Sequence, residues 1–240
     1  MTAPTLLHGL VVLLLAAAIF YLGLRFWRHM AIASTRKEPI PAPIHDIVAP
    51  ASGWEAGQHE AAVFAGGCFW GVQSVFQRVK GVLATTVGYT GGEAKHADYK
   101  SVSYLNTGHA EAIEIVYDPA QVSYGTLLRI FFSVVHDPTQ LNRQGADMGT
   151  QYRSGIYFTS QDQHEAADSY IKQLKEAGIF PRPIVTEVVP LIKFYPGEDY
   201  HQDYALKNPN NPYIQVCDIP KIATLGQQFP ELFQEYRLPR

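Results

Sequence analysis

The run Ala61-Ala62-Val63-Phe64-Ala65 meets Gly66-Gly67-Cys68, after which Phe69, Val72, Phe76 and Val79 recur at helical spacing. A short apolar run ending in two glycines reads as a strand that turns tightly, and apolar positions three or four residues apart form one face of a helix. Strand, tight turn and helix in succession point to a layered α/β domain in which the helix lies back on the sheet. The same unit puts Cys68 at a helix N-terminus, beside backbone N–H groups that have no partner within the helix.

That position favours the thiolate, because helix N-termini lower a thiol pKa from its ordinary value of about 8.5. The alternative is a buried structural cysteine packed as a small hydrophobe. The two glycines favour the reactive reading, since they let another group approach the backbone closely.

A second strand fits Val82 to Gly88, ended by Thr90-Gly91-Gly92, and a third fits Ala110 to Tyr117, ended by Asp118-Pro119. Ser123 is placed to cap a helix through about Val135. A strand around Gly155 to Thr159, a helix from about Asp162 to Ala177 with Gly178 at its end, and a strand from Ile184 to Val189 follow. The expected architecture is a two-layer α/β (α+β) sandwich, helices on a mixed sheet, with a loop-rich C-terminal part.

Alternation along the third strand puts Glu111, Ile113, Ile115 and Tyr117 on one face. A carboxyl sharing that apolar face has a raised pKa and holds a proton near neutral pH, as a general acid must. The competing reading is a glutamate at a sheet edge reaching solvent, and the pattern alone does not separate the two.

The 240 residues are 47% hydrophobic and 17% charged, enough for one globular domain with a core of its own. A net charge of −3 supplies no basic field for a nucleic acid backbone. Two cysteines, Cys68 and Cys217, are too few for a disulfide scaffold or a four-ligand zinc site. His45, His59, His96, His109, His136, His164 and His201 include no two-histidine zinc motif, so neither metal nor organic cofactor is implied.

Leu6 to Leu24 carries no charge and as a helix spans roughly 28 Å, close to a bilayer's hydrocarbon core. Phe20, Tyr21, Phe26 and Trp27 accompany Arg25 and Arg28 at its end, as at a membrane interface. A cleaved signal peptide is the rival reading, and Ala31-Ile32-Ala33 resembles a cleavage site; against it, Met1 to Gly9 lacks Lys and Arg. Arg25, Arg28, Arg36 and Lys37 place the following domain on the cytoplasmic side, with a periplasmic or secreted domain as the alternative. Pro39, Pro41, Pro43 and Pro50 mark an extended tether, giving residues 1–30 as anchor, 31–60 as linker and 61–240 as catalytic domain.

The blocks Gly66-Gly67-Cys68-Phe69-Trp70-Gly71, Gly88-Tyr89-Thr90-Gly91-Gly92, Thr107-Gly108-His109-Ala110-Glu111, His136-Asp137-Pro138 and Gly149-Thr150-Gln151-Tyr152-Arg153-Ser154 resemble the signature blocks of the A-type peptide methionine sulfoxide reductases. The resemblance runs from about Ala61 to Asn211. It implies reduction of methionine-S-sulfoxide, free or in oxidised proteins, with Cys68 as nucleophile and Glu111 as proton donor. It further implies that Phe69 and Trp70 receive the substrate methyl group, and that Tyr99, Asp147 and Tyr152 hold the sulfoxide oxygen directly or through water. Regeneration by thioredoxin or another thiol is implied as well.

Two departures stand out. Ser103-Tyr104-Leu105 replaces a cysteine-serine-glycine common at that point, and Ile214 follows Pro212-Tyr213 where family members often carry a second cysteine. Cys217 is three residues further on, in a run with Ile214, Val216 and Ile219 that fits a strand or fixed extended piece. It either resolves the oxidised Cys68 or takes no part.

The chemistry suits these residue types. A sulfoxide oxygen leaves badly, so a thiolate attacks the sulfur usefully only if an acid protonates that oxygen. The product is methionine and a sulfenic acid on Cys68, which a second thiol must reduce. The rival readings are a cysteine hydrolase or acyltransferase using Cys68 with His109 or another histidine as base, and a membrane-tethered binding module with an inert cysteine.

Overall fold

A computed structural model describes residues 39–236 apart from 48, 50–52 and 56. Among these, no helix is long and apolar enough to cross a membrane. The apolar stretch Leu6 to Leu24 lies outside the described residues.

Strands β1 (Glu60–Gly66), β2 (Val82–Thr90), β3 (Ala110–Tyr117), β6 (Ser154–Phe158), β7 (Glu187–Pro190) and β8 (Phe194–Pro196) form one sheet in the order β7-β6-β1-β3-β2-β8. Two short strands, β4 (Arg143–Gln144) and β5 (Asp147–Met148), pair separately. Every pairing in the large sheet is antiparallel except β6 with β7, so the sheet is mixed, as the sequence predicts. β8, three residues long, carries too little pattern to be read in advance.

The helices are α1 (Phe69–Phe76), α2 (Tyr99–Tyr104), α3 (Tyr124–Ile130), α4 (Gln161–Glu176), α5 (Tyr204–Lys207) and α6 (Ile219–Gln228). Ser123 caps α3 by accepting the Thr126 N–H at 3.1 Å, and Ser160 caps α4 by accepting that of Gln163 at 3.2 Å. A π-helical turn, Phe131–Val135, carries α3 on to the predicted end. Phe64, Ile113, Ile115 and Tyr117 of the sheet pack with Val72 and Phe76 of α1, Leu127 of α3, Tyr170 of α4 and Leu225 of α6. Phe64 stacks on Phe131 with ring centroids 4.9 Å apart; each fully buried ring of this kind contributes on the order of 2–3 kcal/mol. The opposite sheet face carries Val63, Ala65, Ala110, Ala112 and Tyr157 beneath Val189, Leu191 and Phe194.

Two segments differ from expectation. Residues 39–47, read as tether, are extended but strapped to the domain: Ile40 is 1% exposed. The carbonyls of Ile40, Pro41 and Ala42 accept from Arg129 Nε (2.7 Å), Tyr170 Oη (2.7 Å) and Gln173 Nε2 (2.8 Å). Prolines remove N–H donors yet leave carbonyls free to accept, so a proline-rich strand can still be held side on. The second difference is at Cys217: Ile214–Asp218 is a π-helical turn running into α6, not an extended piece. Pro220 falls in the first turn of α6, where its fixed φ suits a helix start.

Candidate active site

β1 ends in Gly66 and turns at Gly67, whose φ of 92° only glycine adopts freely. A Cβ on Gly67 would also lie 2.6 Å from the Gln144 side chain. The turn delivers Cys68 as N-cap of α1. On β3, the strand next to β1, Glu111 lies opposite Tyr89 in the β2–β3 register, on the face that α1 covers.

Glu111 is 2% exposed, and its Oε2 accepts the Phe69 backbone N–H at 3.0 Å. Burial pushes its pKa up to about 8; the Phe69 N–H acts in the opposite direction and Asp147 adds to the rise. The carboxyl is therefore protonated at neutral pH, which is the apolar-face reading of the sequence and not the solvent-edge one.

The thiolate expected at Cys68 is corrected by the structure. Burial, then Glu111 and Asp218, push the Cys68 thiol well above its ordinary range, while the Trp70 N–H at the helix start pulls it down and Asp147 pushes it up again. Helix-end stabilisation is outweighed because the sulfur sits in a low-dielectric pocket lined by acids. The resting site holds a thiol beside a protonated carboxyl.

Phe69 is buried, with its ring 5.8 Å from Tyr89 and 5.1 Å from His201. Trp70 stacks on Tyr204 at 3.8 Å and donates its indole N–H to His201 Nδ1 at 3.1 Å. Burial lowers the His201 pKa, so its ring is neutral and Nδ1 is free to accept. Tyr213 closes the cage edge-on to Trp70 at 6.1 Å and donates its hydroxyl to Asp147 Oδ2 at 2.5 Å.

Tyr99, at the start of α2, donates its backbone N–H to Glu198 Oε1 at 2.8 Å, and Tyr89 donates its hydroxyl to Glu198 Oε2 at 2.8 Å. Tyr152 ends a 3₁₀ turn that precedes β6. Both Tyr99 and Tyr152 phenols are pushed up by burial first and by Glu111 second. Their hydroxyls remain protonated donors within the field of the acid. Cys217 is a half-buried free thiol, raised by burial and then by Asp218.

The structure thus brings Cys68, Phe69, Trp70, Tyr99, Glu111, Asp147 and Tyr152 to one pocket, with Cys217 beside it in the π turn. His109 is elsewhere occupied: it is 1% exposed and its Nε2 contacts the Glu93 carbonyl at 3.0 Å. Ile214, where a family cysteine is common, is 1% exposed and packs inward. Sequence reasoning missed His201, Tyr204, Tyr213 and Asp218. Tyr213 alone carried a signal, the Pro212-Tyr213 pair; with 14 tyrosines in the chain, nothing distinguished Tyr204.

Asp218 is the unexpected member. It is 1% exposed, neither carboxylate oxygen has a hydrogen-bond partner, and burial raises its pKa to about 6. Its Oδ1 lies where a Cβ on Gly71 would come within 2.2 Å, so glycine in the first turn of α1 is what admits it.

A nucleophilic sulfur, a neutral acid within one helix end of it, phenolic donors and an aromatic cage suit transfer of an oxygen from a small, polar, sulfur-bearing group. Comparison with known proteins agrees. Residues 60–232 match the peptide methionine sulfoxide reductases. The peptide methionine sulfoxide reductase MsrA 2 of Mesorhizobium japonicum is 55% identical over 176 residues, 73% of this chain and 90% of that protein. The MsrA 2 of Synechocystis is 54% identical over 192 residues, 80% of this chain and 89% of that one. Among solved structures, methionine sulfoxide reductase A of Corynebacterium diphtheriae superposes with a TM-score of 0.56 at 36% identity, covering 72% of this chain and 84% of its own. Reduced Mxr1 of Saccharomyces cerevisiae superposes with a TM-score of 0.59 at 31% identity, covering 68% and 93%. With residues 60–232 matched in sequence and its pocket assembled from the blocks that carry the likeness, this chain belongs to the peptide methionine sulfoxide reductase family.

Proposed function

We propose that Cys68 attacks the sulfur of methionine-S-sulfoxide while Glu111 protonates the departing oxygen. The observation that carries this is the Glu111 carboxyl, 2% exposed and hydrogen-bonded to the first N–H of the helix that Cys68 caps, where burial raises its pKa to about 8. The chain reduces methionine sulfoxide and so repairs oxidised proteins. In the step itself, the Cys68 sulfur forms a bond to the sulfoxide sulfur, the oxygen takes the Glu111 proton, and the Cys68 proton passes to the carboxylate that Glu111 becomes. The hydroxyl then passes to the Cys68 sulfur as its bond to the substrate sulfur and the new S–S bond both break; the substrate sulfur leaves as a thioether, reduced by two electrons, and Cys68, oxidised by two, is left as a sulfenic acid. Tyr99 and Tyr152 orient the oxygen by hydrogen bonds, and Asp147, held by Tyr213, orders water beside it. Phe69 and Trp70 take the methyl group, whose positive character at the transition state suits an aromatic face.

The sulfenic acid is cleared by a thiol. Cys217 serves as a slow resolving group, its thiol held neutral by burial and Asp218, and thioredoxin or a small thiol completes the cycle. The N-terminal segment Leu6 to Leu24 is read as a single-pass anchor, on its length, lack of charge and flanking arginines, with the catalytic domain cytoplasmic. A hydrolase is disfavoured because the chain matches the reductases and His109, the base it would use, contacts the Glu93 carbonyl through Nε2.

The test is turnover of N-acetyl-methionine sulfoxide amide, each diastereomer separately, with and without dithiothreitol or thioredoxin. Reduction of the S form that requires the thiol is the expected result. Reductant-free ester cleavage, or equal use of both diastereomers, would overturn the reading.

A further inference from the structure

Asp218 immediately precedes α6, at the position whose side chain ordinarily accepts an N–H of the first turn, yet it makes no such bond. The π turn Ile214–Asp218 runs straight into the helix, and the Ile219 N–H already donates to the Ile214 carbonyl. The Asp218 side chain instead occupies the space that a Gly71 side chain would fill, against the first turn of the helix that Cys68 caps. There it is 1% exposed, and neither oxygen has a hydrogen-bond partner. Burying a carboxylate without donors costs stability, and an amide of the same size would fill the niche without burying a charge. What the acid supplies and an amide cannot is that charge.

Little answers it. Lys221, half-buried and one turn on in α6, brings its ammonium to the same niche without bonding to either oxygen, and Asp147 of β5 adds a second negative charge. Cys68, Cys217 and Tyr213 are the protonated groups in its field. Beyond burial, Cys68 has Glu111 of β3, Asp218 and Asp147 set against its thiolate and the Trp70 N–H in favour of it. Glu111 keeps its proton to about pH 8, which leaves Asp218 foremost among the standing charges that oppose ionisation of the sulfur.

We propose that Asp218 is a positioning residue that sets the chemical selectivity of Cys68: a fixed negative charge beside the start of α1 holds the resting sulfur as a thiol, so that it attacks a sulfoxide and is spared by peroxides and alkylating agents. This rests on the reading of Cys68 as the sulfur that attacks the substrate. The reactions differ in what they ask of that sulfur. Alkylating agents and peroxides react with the thiolate; with hydrogen peroxide the sulfur takes one hydroxyl from the O–O bond, and the other leaves as hydroxide and picks up a proton to become water. A sulfoxide in the pocket receives the Glu111 proton, and the Cys68 proton passes to the carboxylate so formed, so its attack needs no thiolate beforehand. A charge that suppresses the free thiolate therefore slows the first class more than the second.

The experiment follows capture of Cys68 by iodoacetamide, by mass spectrometry of its peptide, from about pH 5 to about pH 8.5. Full-length wild type is compared with Asp218→Asn and with Gly71→Ala, which displaces the carboxylate without removing it; circular dichroism confirms folding. In wild type the logarithm of the rate should flatten around pH 6, where Asp218 acquires its charge and holds the thiol proton harder. Asp218→Asn should rise with unit slope there and, at neutral pH, react about three- to tenfold faster, the thiolate fraction gaining more than its nucleophilicity loses. Gly71→Ala should change in the same direction, and Glu111 should give all three proteins a further flattening near pH 8. Inactivation by hydrogen peroxide should quicken with capture, while kcat/KM for N-acetyl-methionine-S-sulfoxide amide gains less. Equal capture rates and slopes in wild type and Asp218→Asn overturn the inference, as does a gain in sulfoxide reduction as large as the gain in capture. Unit slope through pH 6 in wild type overturns it even where neither variant folds. Sulfoxide reduction by a folded Cys68→Ser would instead sink the reading of Cys68 as the attacking sulfur.

Discussion

The Glu111 carboxylate oxygen Oε2 accepts the backbone N–H of Phe69 at 3.0 Å, which ties the proton donor to the first turn of the helix that Cys68 caps. Acid and nucleophile are thereby fixed relative to one another by backbone, not by a mobile side-chain contact. The arrangement costs stability, because the same carboxyl is nearly inaccessible to water.

That cost has a sign and a pH window. Glu111 has a pKa raised to about 8 in the folded chain, so between the unfolded value near 4.5 and pH 8 the folded state keeps a proton that the unfolded state has given up. Stability from this group therefore falls as pH rises through the window and is level above it, a loss of about 5 kcal/mol. Glu111→Gln should raise the unfolding midpoint relative to wild type at pH 8.5, and the difference should vanish near pH 4.5. The same variant should lose at least about a hundredfold in kcat at pH 7, the usual scale for a general acid. Infrared difference spectra between wild type and variant should show a protonated carboxyl at pH 6.5 that disappears through about pH 8.

Trp70 owes its orientation to Tyr204 and His201. Tyr204→Leu keeps apolar volume but removes a stacked ring, worth about 0.5–1.5 kcal/mol. The expected outcome is a KM raised about two- to tenfold with kcat little changed, and a weakened near-ultraviolet dichroism from Trp70. A fall in kcat with unchanged KM would mean that the ring serves the chemistry and not the seating of the methyl group.

For Cys217, wild type and Cys217→Ser are treated with one equivalent of substrate and no reductant, and free thiols and linked peptides are counted by mass spectrometry. Slow appearance of a Cys68–Cys217 disulfide is expected in wild type, and a persistent sulfenic acid in the variant. Turnover with thioredoxin should drop only a few fold, since an external thiol can attack Cys68 directly. If Cys217 stays reduced beside an oxidised Cys68, it is structural.

The anchor is tested on the full chain in membranes. Protein held by a spanning helix stays in the pellet after alkaline carbonate or high salt, because apolar transfer and not charge retains it. Release by alkali would favour a processed or peripheral form.

Legibility in the sequence followed the length of the signal. β3 matches its predicted span, and the predicted helices after Ser123 and near Asp162 match closely, because each has a full period of apolar residues and a clear start or stop. Alternation put Glu111 on one face with Ile113 and Ile115 but left its burial open, which the structure decides, and the glycines put Cys68 at a helix start. Its protonation could not be read, because that depends first on burial of the sulfur and then on Glu111 and Asp218, which come from segments far apart in the chain. The helical turn at Cys217 was hidden by a run of branched apolar residues that fits a strand equally well, and the strapping of residues 39–47 depends on partners in α3 and α4.

The most direct test of the central claim is a single turnover on the full-length chain: one equivalent of N-acetyl-methionine-S-sulfoxide amide, no reductant, methionine product and Cys68 oxidation both quantified. Wild type should release one equivalent of the thioether and gain one oxygen, trapped by a sulfenic acid probe at Cys68, while a folded Cys68→Ser releases none and is not labelled. Thioether released by Cys68→Ser, or released by wild type with Cys68 unmodified, would contradict the account.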